Sequence, residues 1–286
     1  MPAADRVVLD PAVFDPFVRY SLYNSPYPAH DTGCAVDLYR DPDRADEDAP
    51  SPVAGTVLET TTRRVPAKEY AEAEDHVLLL DCGDLVARVL HVDPVVEPGD
   101  RVEPGDSLGR MVRSGFFAPW VDNHLHLGFR RHDQHLLRAG GSLRLELPLA
   151  VRPDPVAWDG VGRVAEVGET YVLLDTPAAG TGWTGVAADG AGVLDGGLAH
   201  YTGGGLHDGR DGPVSLLGYE VGTATDRTVT WDGFDVLANG ERVTGLSLFV
   251  AHDSPGVKVV CPDHGFEVGD RVEVSFCPSD DPIRLG

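Results

Sequence analysis

Hydrophobic and polar positions alternate along this chain in short runs broken by turn residues, the pattern of β-strands. In Asn123-His124-Leu125-His126-Leu127-Gly128 the leucines fall on one face of a strand and both imidazoles on the other, because successive side chains point to opposite faces. Ala35-Val36-Asp37-Leu38-Tyr39 is a second strand, apolar except for one carboxylate that needs a partner once it leaves water. Val77 to Leu80, the turn Asp81-Cys82-Gly83-Asp84 and Leu85 to His91 form a hairpin pattern, and Pro52 to Glu59 has the content of a strand with a bend. Short helices are expected around Pro11 to Tyr20 and, within a polar insertion, over Ala67 to Asp75. The tandem Val96-Glu-Pro-Gly-Asp100 and Val102-Glu-Pro-Gly-Asp106 supplies two successive turns, and the acidic stretch Arg40 to Asp48 is a solvated loop.

Length then bounds the architecture. The 286 residues suffice for two ordinary domains, and the texture changes beyond Leu149, where Gly-rich, weakly patterned segments precede further strands. We expect an all-β protein, with a first domain over 1–149 and a second, β-rich accessory domain over 150–286. The 34 glycines and 22 prolines suit many short strands joined by turns.

Charge changes the picture of partners. Asp and Glu total 46 against 23 Lys and Arg, of which only Lys68 and Lys258 are lysines. A formal charge of −23 argues against nucleic acid or an anionic membrane surface as partner, since both would repel it. An acidic, lysine-poor surface is also what halophilic proteins carry, where salt screens self-repulsion. The N-terminal residues hold no basic segment followed by an apolar run, so a cytoplasmic location is expected, with Cys34, Cys82, Cys261 and Cys277 as thiols.

The chemistry-bearing residues, in order, are His30, Asp37, His91, His124 and His126. A catalytic zinc takes three protein ligands drawn from His, Asp or Glu and keeps a fourth position open, so this set offers three ligands and two spare imidazoles. Elsewhere, Cys261-Pro-Asp-His264 with Cys277 matches no standard zinc spacing. His132 and His135 are expected in solvent, and the Gly-rich run after Tyr201 lacks the strand-to-helix context of a phosphate loop.

From about residue 27 to 131 the chain resembles the M23 family of zinc metallopeptidases, the lysostaphin and LytM type. The resemblance rests on an ordered set: His30 before Ala-Val-Asp37-Leu, then Ala-Pro-Ser-Pro-Val-Ala-Gly-Thr-Val, Leu90-His91-Val, Val102-Glu-Pro-Gly-Asp-Ser-Leu-Gly and Asn123-His-Leu-His-Leu-Gly-Phe-Arg130. It implies an M23-type antiparallel sheet or half-barrel, Zn2+ held by His30, Asp37 and His126, and His91 with His124 as the catalytic pair. A tyrosine ahead of the first ligand, here Tyr27, Tyr23 or Tyr20, would stabilise the oxyanion. The implied activity is a metalloendopeptidase acting on peptide or cell-envelope-like substrates. One departure stands: the family spaces its first His and its Asp four apart, whereas His30 and Asp37 are seven apart. Either His30 reaches across a longer loop, or Cys34 takes the position.

Members of the family that have lost ligands act as binding modules, so a non-catalytic, metal-stabilised module is the alternative. The fold is also similar to biotinyl and lipoyl carriers, but neither Lys68 nor Lys258 sits in a carrier's hairpin turn. Salt adaptation gives the first test. Circular dichroism should show the protein folded in molar salt and losing structure at low ionic strength without added divalent metal; a fold that persists there would overturn the halophilic reading.

Overall fold

The computed structural model describes residues 6–42, 47–178, 181–252 and 255–285; residues 43–46 of the acidic loop lie outside them. The chain is all-β, 49% strand against 2% helix, with a curled half-barrel sheet and a second β-rich domain. No helix among the described residues is long and apolar enough to cross a membrane, and no disulfide joins the four cysteines.

Contacts divide the chain into two compact units, Met1–Tyr20 with Cys34–Val151, and Ser21–Gly33 with Arg152–Gly286. The segment Ser21–Gly33, placed with the first domain by sequence order, therefore clusters with the second unit. The reason is hydrogen bonding: Ser21 and the Leu22 N–H donate to Asp195, and the Asn24 amide donates to Ser247.

In the first unit the curled sheet contains β1 (Ala35–Tyr39), β2 (Gly55–Arg64), β3 (Glu74–Asp81), β4 (Val86–Leu90) and β5 (Leu125–Arg130), in the spatial order β1-β5-β4-β3-β2. All four neighbouring pairs are antiparallel. Every residue of β1 and β5 is buried, and both runs are apolar apart from Asp37, His126 and Arg130.

Two expected helices are corrected. Around Pro11 to Tyr20 only a 3-10 turn, Pro11–Val13, forms on the side chain of Asp10, and a strand begins at Arg19; Pro16 lacks the N–H that a continuing helix would need. Ala67 to Asp75 holds a bridge between Lys68 and Ala71 and then enters β3. Here pairing overrides local preference, because β2 runs on through its polar half and matches β3 residue for residue from Thr60↔Leu78 to Arg64↔Glu74.

Among the described residues the second unit holds a 12-stranded antiparallel sheet over a core that includes Trp158, Val172, Leu194, Val229, Phe234, Leu246 and Val257. Its glycine run forms the strand Gly203–Leu206, where a Cβ at Gly204 or Gly205 would lie 2.3 Å from the Trp231 ring or 2.0 Å from that of Tyr23. Glycine is what lets the backbone pass beneath two aromatic rings.

The first sheet depends on tight burial of the leucines that flank the histidines. Leu127 is 0% exposed, so Leu127→Ala should lower the unfolding free energy by about 2–5 kcal/mol in denaturant titration. A loss under ~1 kcal/mol would show that this face is not core.

Candidate metal centre

Antiparallel register places His126 directly opposite Asp37, with Leu125 against Leu38 and Leu127 against Val36. His126 Nδ1 lies 2.9 Å from Asp37 Oδ1, and His124 Nε2 lies 3.5 Å from the other carboxylate oxygen. His124 sits one residue before β5, yet the alternation holds: the histidines share a face while Leu125 and Leu127 are wholly buried.

His30 lies in a turn whose Tyr27 carbonyl accepts the His30 N–H. Its Nδ1 is 2.9 Å from the Leu22 carbonyl. A carbonyl only accepts, so Nδ1 carries the proton and Nε2 keeps its lone pair for a metal. His30, Asp37 and His126 each offer one ligand atom, and these atoms lie within 4.8 Å of one another. Two imidazoles and a carboxylate are a donor set that zinc takes. Cys34 is not in the group.

Beside this group stands a second, independently held imidazole. His91 follows β4 with φ 67°, a left-handed conformation uncommon for a residue with a Cβ, and its Nδ1 is 2.7 Å from Asp75 Oδ2. Asp75 also accepts the Ser114 hydroxyl at 2.8 Å and the His76 N–H at 2.7 Å. Burial by itself would raise the Asp75 carboxyl. The His91 imidazole and the hydrogen bonds from His91, Ser114 and His76 outweigh burial and bring the pKa down from 3.8 to about 2.

His124 is oriented by the Asp122 carbonyl, 2.9 Å from its Nδ1, and Asp122 in turn is gripped by Arg19. The His91 and His124 ring centroids are 5.2 Å apart. Phe117 stacks on His124 at 4.3 Å and meets His91 edge-on at 4.7 Å. Lys68 and Tyr70 both donate to the Phe117 carbonyl and hold that wall in place.

Among the tyrosines, Tyr20 is a core residue whose hydroxyl donates to the Val151 carbonyl, and Tyr23 is buried against the glycine strand. Tyr27 is 43% exposed and three residues ahead of His30. Cys261, His264 and Cys277 build no metal group: His264 uses its nitrogens on the Gly168 carbonyl and the Phe266 N–H, and Cys261 donates to the Val259 carbonyl. His132 and His135 are exposed. Asp75, Ser114, Asp122 and Phe117 escaped the sequence reading. Only Asp75 left a signal, an acid on the same strand face as Val77 and Leu79.

Residues 8–147 match the family model described as domain of unknown function (DUF8155), N-terminal domain, and residues 154–277 match its C-terminal domain. No curated protein and no solved structure matches the chain.

The Asp75 pair makes a pH prediction. Its folded pKa lies below the unfolded value, so its stabilisation is complete above about pH 4 and is lost as pH falls toward 2. Asp75→Asn should therefore flatten the acid limb of stability by roughly 2 kcal/mol in urea titrations at stepped pH. Superimposable limbs for the two proteins would contradict the ion pair.

Proposed function

We propose that this chain, whose two halves belong to the two domains of the DUF8155 family, is a zinc-dependent hydrolase of peptide bonds of the M23 type. The observation that carries the reading is the buried His30, Asp37 and His126 group with two further imidazoles beside it, one backed by a carboxylate. His30, Asp37 and His126 would hold the ion, His30 through Nε2 and His126 through Nδ1, whose proton, held here toward Asp37 Oδ1, metal binding would release. Bound zinc supplies Lewis acidity, polarising a carbonyl and lowering the pKa of water toward ~7.

The protein's own residues do the rest. Asp75 takes the His91 Nδ1–H, which fixes the tautomer and leaves Nε2 able to accept a proton from an attacking water. The Asp122 carbonyl does the same for His124, so the pair can accept one proton and deliver another to the leaving amine. Tyr27 is the proposed oxyanion donor. Peptides, including cell-envelope-like ones, are the proposed substrates, and the absence of disulfides suits the proposed cytoplasmic location.

A second reading, a non-catalytic metal-stabilised module, is favoured by depth: His30, Asp37, His91, His124 and His126 are only 2–7% exposed. Protein purified without chelator should carry about one zinc per chain by elemental analysis. Asp37→Ala and His126→Ala should lose it. His91→Ala and His124→Ala should keep it and lose peptide cleavage by at least ~10²-fold on glycine-rich and cross-linked wall peptides in molar salt near neutral pH. A zinc-loaded wild type that cleaves nothing across a broad peptide library would replace the hydrolase reading with the module, and full zinc retention in both ligand variants would remove the metal assignment.

A further inference from the structure

The second unit holds a carboxylate that the proposed chemistry does not use. Asp195, on the strand Leu194–Leu198, is 0% exposed. Its Oδ1 accepts the Ser21 hydroxyl at 2.5 Å, while Oδ2 accepts the Leu22 N–H at 2.7 Å and faces His207 Nε2 at 3.2 Å. Although Ser, His and Asp are all present, this is no nucleophilic triad, because the serine donates to the acid and not to the imidazole.

We propose that Asp195 is a positioning residue for the metal ligand His30, an inference that rests on the metal assignment above. The connection is a short series of hydrogen bonds. Ser21 Oγ, held by Asp195, accepts the Tyr23 N–H at 3.3 Å and the Asn24 N–H at 2.9 Å. The Tyr23 N–H and the Leu22 carbonyl belong to one rigid peptide plane. Fixing the first aims the second, and that carbonyl takes the proton of His30 Nδ1 at 2.9 Å. The Leu22 N–H, on the neighbouring plane, is bound to Asp195 directly.

The carboxylate suits this place because it is acceptor-only and meets three donors. An asparagine of the same shape must turn its NH2 toward one of them. Partners that orient a metal-bound histidine through its other ring nitrogen contribute ~10–100-fold to metal affinity. Asp195 does so one peptide further out.

A double-mutant cycle on the full chain tests this, with zinc affinity measured by competition against a chromophoric chelator. Asp195→Asn should weaken zinc binding by ~10–100-fold and alter the visible spectrum of the Co2+-substituted protein. In a His30→Cys background, which keeps a third donor but has no Nδ1–H to position, it should change affinity by less than about twofold. Equal losses in both backgrounds would mean general destabilisation and overturn the proposal, as would unchanged affinity in the wild-type background. If Asp195→Asn does not fold, Ser21→Ala, which keeps the carboxylate and its bond to Leu22, goes through the same cycle under the same criteria. A wild type that binds no zinc would defeat the metal reading itself.

Discussion

The first unit is organised by the need to place one carboxylate, Asp37, inside a strand where every residue is buried. An ionised carboxylate there is untenable alone, and His126 and His124 approach its two oxygens. This pairing and the hydrophobic pattern specify the same register. A slip of one residue between β1 and β5 would carry both imidazoles into the core and both leucines out of it. Packing and charge pairing therefore reinforce each other, and the strand that builds the core also fixes how His126 meets Asp37.

The same solution recurs at two other buried acids. Asp75 gathers His91, Ser114 and a backbone N–H, and Asp195 gathers Ser21, a backbone N–H and His207. At Asp75 and Asp195 an acceptor-only group is surrounded by donors, so its desolvation is offset and the donors' orientations are set in return. In a chain with a formal charge of −23, most acids face solvent and repel one another. These three instead order histidines and backbone.

Burial cuts in two directions at the imidazole pair. Phe117 shields His91 and His124 from water, which strengthens their hydrogen bonds to Asp75 and to the Asp122 carbonyl. The same shielding narrows what can approach them. The two proposed roles, catalysis and metal-dependent stabilisation, thus draw on one set of contacts, and access to the Phe117 wall is the physical quantity on which they differ.

Strand alternation in the sequence was enough to put His124 and His126 on one face, to mark Asp37 as an acid in need of a partner, and to pair Val77 to Leu80 with the strand ending at His91. These are properties of a period of two, which each segment carries within itself. Alternation says which face a residue occupies but not what lies opposite, so Asp75, sixteen positions from His91, went unassigned until the hairpin register brought them together. The helix expected at Ala67 to Asp75 failed for the same reason, since its residues take bridges with Ser114 and, from Glu74, the pairing with β2. The segment that carries His30 is likewise held from far along the chain, since Ser21 and the Leu22 N–H both donate to Asp195. Local pattern determined the strands and their faces; only tertiary structure decided which buried charges meet, because a charge takes its partner from whatever the fold brings near.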